Sequence, residues 1–125
     1  MATVLVVDDE PLFRDYLRKI LEREGHQVVE AADGADGVRK VDDNEIDLVI
    51  TDIVMPKMDG IDFIMDLNKR KPNMGVIAVS GGGRPSGCFL IPAKALGAAR
   101  TLSKPFSRGE LVTVVSEVLN EVTLN

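Results

Sequence analysis

Polar residues that could take part in chemistry follow four predicted strands of this chain. Three of these strands are aliphatic runs typical of buried strands, and the fourth is the short segment at 100–103. Asp and Ser alone are common strand terminators. Because the carboxyl ends of parallel strands lie at one edge of a sheet, we expect the four sets to converge on one pocket. They are Asp8 with Asp9, then Asp52, Ser80 and Lys104.

Carboxylates placed so close together require a cation. Two of them about 4 Å apart repel by roughly 4 kcal/mol at an effective dielectric constant near 20, and three would raise one another's pKa unless a cation joined them. Oxygen ligands without a neighbouring His or Cys favour Mg²⁺. The acids at 8, 9 and 52 are therefore expected around Mg²⁺, while Lys104 remains available for an anion and the Ser80 hydroxyl for a hydrogen bond.

This set of groups suits phosphoryl transfer to an aspartate. A carboxylate can act as the nucleophile and form an aspartyl phosphate. A metal ion and a lysine then neutralise the charge on the phosphoryl oxygens. Asp52 is the expected acceptor because it ends the central apolar run.

The elements that must position these residues alternate between strands and helices. Such alternation predicts an α/β domain with a parallel sheet and helices on both faces. Strands are expected at residues 4–7, 27–32, 48–52, 76–79 and 100–103, and five helices are expected to begin near residues 11, 34, 60, 90 and 108.

Local signals predict helix ends and buried faces. Gly25 is placed to end the first helix, and the lone His26 after it is expected to be a solvated turn residue without function. Ser107 and Glu110 form a capping box at the start of the last helix. Apolar spacing also predicts which residues the first three helices bury. They are Phe13, Leu17, Ile20 and Leu21 in the first helix, Ala35, Val38 and Val41 in the second, and Ile61, Ile64, Met65 and Leu67 in the third.

Composition limits the class of protein. A chain of 125 residues is expected to form one domain. Its net charge of −5 disfavours direct binding to nucleic acid. The single Cys88 indicates a reducing compartment, and the N-terminal segment resembles neither a signal peptide nor a membrane span. We therefore expect a cytoplasmic protein without direct contact to nucleic acid or membrane.

The chain resembles the receiver domain of two-component response regulators. Any one of the shared motifs would be weak, whereas four of them in this order at strand ends are specific. The resemblance extends over residues 1–125 as one receiver domain, and the triple glycine at 81–83 together with ALGAARTLSKPF at 95–106 is similar to stand-alone receivers in bacteria. The motifs are VVDDEP at 6–11, TDIVMPKMDG at 51–60, Ser80-Gly81 and SKPF at 103–106.

The resemblance implies a fold and a site in more detail. The fold is a flavodoxin-like three-layer sandwich with strand order 2-1-3-4-5. Mg²⁺ is bound by Asp9, Asp52 and the Val54 backbone carbonyl, with Asp8 acting through water, and Lys104-Pro105 is a cis peptide. The phosphoryl group comes from a histidine kinase or a histidine phosphotransfer protein. Such a domain is no classical enzyme, although it catalyses its own phosphorylation and slow dephosphorylation.

One position departs from the family pattern. Receivers often carry Tyr or Phe three residues before the lysine, and this side chain changes its exposure on phosphorylation. Thr101 occupies that position here. A switch is then expected in the loop at 81–87 and in the backbone of the following helix.

The sequence also allows other functions. The fold could serve as a binding module that works without phosphorylation, or the chain could be a receiver fragment of a longer regulator. A magnesium-dependent phosphatase resembling the haloacid dehalogenase family is disfavoured because Val54 stands where its second acid belongs. In a flavodoxin, Asp8 and Asp9 would repel the flavin phosphate. Output is expected through a downstream protein partner, or a homodimer, at the last two helices and the strand between them.

Overall fold

The computed structural model describes residues 2–53, 60–80, 98–104 and 106–124. Five parallel strands form one sheet in the order β2-β1-β3-β4-β5. The strands are β1 (Thr3–Val7), β2 (Gln27–Ala31), β3 (Leu48–Asp52), β4 (Gly75–Ser80) and β5 (Arg100–Ser103). The helices within the described residues are α1 (Pro11–Arg23), α2 (Gly34–Asp43), α3 (Gly60–Arg70) and α4 (Arg108–Leu124).

The predicted flavodoxin-like architecture and its strand order are confirmed. The structure has four helices within the described part of the chain. The further helix expected at 90–96 lies outside the described residues. None of the helices that the structure describes is long and apolar enough to cross a membrane.

Each face of the sheet is covered by its own apolar core. β3 is buried along its whole length, as its unbroken aliphatic run predicts for a central parallel strand. Successive side chains of β1 alternate between the two cores, because strand side chains point to opposite faces. One core packs under α2 and α3 and contains Leu5, Val7, Val49, Val76 and Ala78. The other packs under α1 and α4 and contains Val4, Val6, Leu48, Ile50, Ile77 and Val79.

Gly25 ends α1 as predicted. It has a φ of +87°, and its N–H donates to the Glu22 carbonyl at 3.0 Å, while the His26 N–H donates to the Leu21 carbonyl at 3.1 Å. This pair of bonds satisfies the last carbonyls of the helix. His26 is partly exposed, and its Nδ1 accepts the Ala2 N–H at 3.1 Å, a contact that the sequence did not predict.

The capping box at the start of α4 is confirmed. The Glu110 N–H donates to the Ser107 Oγ at 3.1 Å, and the Ser107 N–H donates to the Glu110 carboxylate at 3.2 Å. Phe106 is buried directly before this box. The box therefore fixes α4 immediately after the segment that carries Lys104.

The buried face of α3 differs from the predicted one. Ile64 and Leu67 are buried as expected, but Met65 is 40% exposed and Phe63, which the spacing did not select, is fully buried. α3 packs against α2 as well as against the sheet. The side of α3 that carries Phe63 is therefore buried, and the side that carries Met65 is not. The side chain of Ile61 lies outside the described part of the structure.

The buried face of α2 is built on glycine. Ala35 is exposed, contrary to prediction, whereas Gly34, Gly37 and Val41 are buried. A Cβ atom at Gly37 would lie 2.8 Å from the Cζ atom of Phe63. The two helices can approach this closely only because residue 37 has no side chain.

Candidate functional site

The carboxyl edge of the sheet brings the predicted acids together. β1 and β3 are direct neighbours, with Val7 paired to Thr51, so the residues that follow this pair emerge side by side. The Asp8 N–H donates to the Ala31 carbonyl at 3.1 Å, which extends the β1 and β2 pairing by one residue. Asp52 is the last residue of β3. The backbone thus places Asp8 and Asp52 next to each other at the sheet edge.

Three aspartates form an oxygen-lined cluster at this edge. One carboxylate oxygen from each of Asp8, Asp9 and Asp52 lies within 4.8 Å of the other two. Asp8 is 1% exposed and Asp52 is 6% exposed, whereas Asp9 faces solvent. A cation at this place would have carboxylate oxygens on one side and access to water on the other. This arrangement suits a hard divalent cation that retains several water ligands. The donor set therefore fits Mg²⁺.

Lys104 is the basic side chain that the described structure places among these acids. Its Nζ atom donates to Asp8 Oδ2 at 3.2 Å and to Asp52 Oδ2 at 3.3 Å. Its side chain is 13% exposed. Burial alone would lower the pKa of Lys104, but the carboxylates of Asp8 and Asp52 outweigh burial and raise it. The ammonium group is therefore charged at neutral pH.

Asp8 is held by hydrogen bonds to its neighbours. Its Oδ1 accepts the Glu10 N–H at 2.8 Å. Burial raises the pKa of Asp8, and the charge of Asp52 adds to that rise, while the Glu10 amide and Lys104 oppose it. The raised pKa shows that these two partners do not fully compensate the buried negative charge. A further cation would complete the compensation.

Two residues that contact the site were missed by the sequence reasoning. Arg14 donates from Nη1 to the Asp8 backbone carbonyl at 2.6 Å and from Nε to Glu30 at 3.1 Å. The ring of Phe13 lies with its centroid 3.9 Å from Lys104 Nζ. The apolar spacing of α1 indicated Phe13 only as a core residue. No local signal identifies either contact, because Arg14 bonds to a backbone carbonyl, which every residue has, and Lys104 is distant from Phe13 in sequence.

The remaining predicted site residues are described in part. Ser80 ends β4 and pairs with Ser103, but its side chain lies outside the described part of the structure. Val54 and Pro105, the expected carbonyl ligand and cis-peptide residue, are also outside it. Thr101 is a partly buried residue of β5 that pairs with Ala78.

Comparison with known proteins identifies the family. A family model described as the response regulator receiver domain matches residues 4–116. The DNA-binding transcriptional regulator NtrC of Azospirillum brasilense is 38% identical over 122 residues, which are 98% of this chain and 25% of that protein. The chemotaxis protein CheY of Thermotoga maritima is 35% identical over 116 residues, which are 92% of this chain and 95% of that protein.

The fold comparison agrees with the sequence comparison. The crystal structure of a response regulator receiver domain protein from Clostridium thermocellum matches with a TM-score of 0.92 at 33% identity, over 99% of this chain and 98% of that one. The chain belongs to the response regulator receiver domain family of two-component systems. Such domains are signalling switches rather than classical enzymes. The chain spans about a quarter of the length of the NtrC relative.

Proposed function

We propose that Asp52 accepts a phosphoryl group from a phosphohistidine of a histidine kinase or a histidine phosphotransfer protein. A carboxylate oxygen of Asp52 attacks the phosphorus atom, and the bond from phosphorus to the imidazole nitrogen breaks. The products are an aspartyl phosphate and a free histidine on the donor. In this proposal residues 1–125 form one receiver domain that acts in the cytoplasm.

The position of Lys104 is the observation that carries this proposal. Its ammonium group lies between the carboxylates of Asp8 and Asp52, at 3.2 and 3.3 Å. An ammonium group at that place can neutralise the Asp52 carboxylate before the reaction and the oxygens of the attached phosphoryl group after it. The Ser80 hydroxyl, at the end of the neighbouring strand β4, would donate a hydrogen bond to the same phosphoryl group.

The metal site belongs to the same proposal. Asp9, Asp52 and the Val54 carbonyl would hold Mg²⁺, with Asp8 contributing through a water molecule. When bound, Mg²⁺ supplies charge neutralisation at the phosphoryl oxygens. Asp9 is suited to be a direct ligand because it is exposed and lies within reach of the other two acids.

Output follows from the added charge. Phosphorylation replaces the single carboxylate charge of Asp52 by a phosphoryl group with about 1.5 to 2 negative charges. This gain in negative charge would draw Lys104 away from Asp8 and toward the phosphoryl group. The resulting shift between two conformations would be sensed by a downstream protein, or by a second copy of the chain, at the face that includes α4 and β5. Thr101 on β5 would contribute to this face, but it has no aromatic ring that could change its exposure. Slow hydrolysis of the aspartyl phosphate resets the switch.

The direct test is labelling with a small acyl phosphate in the presence of Mg²⁺. We expect one added phosphoryl group on the wild type and none on Asp52→Asn, measured by intact mass and peptide mapping. Asp47→Asn is the matched control, because Asp47 immediately precedes the same strand at its opposite end and should leave labelling intact. An unlabelled wild type, or labelling of Asp52→Asn at the wild-type rate, would contradict the proposal and favour a phosphorylation-independent binding module.

A further inference from the structure

Phe13 is the aromatic residue that lies against the ammonium group of Lys104. The distance from Lys104 Nζ to the centroid of the Phe13 ring is 3.9 Å. The same Nζ atom has carboxylate oxygens of Asp8 and Asp52 at 3.2 and 3.3 Å. The face of an aromatic ring carries partial negative charge and attracts a cation at this distance. Neither metal binding nor phosphoryl transfer, as proposed above, gives Phe13 a part.

The ring of Phe13 is held in place by its neighbours. Phe106 contacts it edge to face, with centroids 5.8 Å apart and planes at 79°. The ring of Tyr16, also on α1, lies with its centroid 6.1 Å from that of Phe13. Phe13 also packs against the core under α1 and α4. These contacts restrict reorientation of the ring, so it presents a defined surface to Lys104.

Lys104 benefits from a surface of this kind because its stem is long and flexible. The acids alone would hold the ammonium group by hydrogen bonds of fixed direction. On phosphorylation of Asp52, however, the ammonium group must turn from a carboxylate toward phosphoryl oxygens. A ring face attracts a cation without fixing the direction of a hydrogen bond. It can therefore keep the group near Asp52 while permitting that movement.

We propose that Phe13 is a positioning residue that holds the Lys104 ammonium group beside Asp52 for phosphoryl transfer. This inference rests on the proposed function of Asp52 and Lys104. The part of Phe13 is to raise the fraction of molecules in which the ammonium group is in place when the phosphoryl donor arrives. Replacement of Phe13 should therefore slow phosphoryl transfer only when Lys104 is present.

A double-mutant cycle tests this dependence. In the wild-type background, Phe13→Leu should slow labelling of Asp52 by a small acyl phosphate by roughly three- to tenfold. Phe13→Tyr keeps a ring face and should retain most of the rate. In the Lys104→Ala background, Phe13→Leu should change the already reduced rate by less than about twofold. Val115→Ala, in the same core but away from the site, shows how far loss of packing alone affects labelling.

NMR supplies a readout that does not depend on labelling. The protons on the Lys104 Cε atom should show an upfield ring-current shift in the wild type and in Phe13→Tyr, and this shift should disappear in Phe13→Leu. Equal slowing in both backgrounds, or no ring-current shift in the wild type, would overturn the positioning role alone. An unlabelled wild type would overturn the proposed function together with this role.

Discussion

Lys104 Nζ lies 3.2 Å from Asp8 Oδ2, although the two residues are 96 positions apart in the chain. Asp8 follows β1 and Lys104 follows β5, and both β3 and β4 lie between these strands in the sheet. The contact therefore forms only when β1, β3, β4 and β5 are assembled side by side. It joins two side chains that are 2% and 13% exposed. Loss of one partner would leave a buried charge without compensation.

Replacement of Lys104 should therefore destabilise the protein in the absence of metal. We expect Lys104→Met to lower the free energy of unfolding by about 2 kcal/mol, measured by urea denaturation in EDTA. Lys19→Met is the matched control, because the 3.0 Å pair of Lys19 with Asp15 is largely exposed and should change stability by less than about 0.5 kcal/mol. Equal losses of stability in the two variants would show that the buried pair of Lys104 with Asp8 stabilises the protein no more than the exposed pair does.

Magnesium should bind and stabilise the wild type through Asp9. At a concentration ten times its Kd, a ligand that binds only the native state adds about 1.4 kcal/mol to the free energy of unfolding. We expect Asp9→Asn to abolish most of this gain, because it removes an exposed ligand without breaking a described hydrogen bond. Thermal unfolding with and without Mg²⁺ measures the difference.

The control for this prediction lies on α1. Asp15→Asn removes an exposed carboxylate of the same charge outside the acidic cluster, so its response to Mg²⁺ should equal that of the wild type. If Asp15→Asn and Asp9→Asn lost the response equally, the gain would reflect general charge screening and not a site.

Arg14 should support the metal site through the backbone of Asp8. Arg14→Gln removes the bond to the Asp8 carbonyl at 2.6 Å and the bond to Glu30 at 3.1 Å. We expect a loss of stability of about 1 to 2 kcal/mol and weaker Mg²⁺ binding by calorimetry, because the peptide that joins Asp8 to Asp9 is no longer held.

Arg18 offers the comparison for Arg14. It also pairs with Glu30 but has no described bond to the Asp8 backbone. Arg18→Gln should therefore leave the Mg²⁺ affinity unchanged. A parallel decrease in both variants would assign the effect to the charge of Glu30 and not to the Asp8 carbonyl.

Much of the fold could be predicted because its signals are local. β5 was predicted with the observed bounds, at residues 100–103, and β3 at residues 48–52. Aliphatic runs define the parallel strands, and polar residues after them mark the edge where the site forms. For this reason the sequence alone groups Asp8, Asp9, Asp52 and Lys104 at one edge of the sheet.

The contacts that escaped prediction are tertiary. Arg14 bonds to a backbone carbonyl, which every residue possesses, so the sequence around Arg14 does not indicate its partner. Phe13 fitted the apolar stripe of α1 and had no feature that distinguished a ring beside a lysine from a ring in the core. Met65 was taken as buried because the spacing of α3 allows more than one apolar face. The contact with α2 at Gly37 decides between those faces.

Gly37 should be intolerant of any side chain, even though it lies within a helix. Alanine is favoured over glycine in a helix by about 1 kcal/mol. At this position, however, the new Cβ would lie 2.8 Å from Phe63 Cζ and 3.0 Å from Cε1, and the ring is fully buried and cannot move freely. We therefore expect Gly37→Ala to lower the free energy of unfolding by about 1 to 3 kcal/mol.

Gly109→Ala provides the opposite case in α4. A Cβ there would meet no atom closer than the Ser107 Oγ at 3.9 Å, so the helix propensity of alanine should prevail and stability should stay equal or rise by up to about 1 kcal/mol. Urea denaturation of both variants measures the difference in stability.

Adding Phe63→Leu to Gly37→Ala should make the glycine substitution less damaging than it is alone, because the shorter side chain removes the clash. If Gly37→Ala were as harmless as Gly109→Ala, the close approach of α2 and α3 would not be what requires glycine.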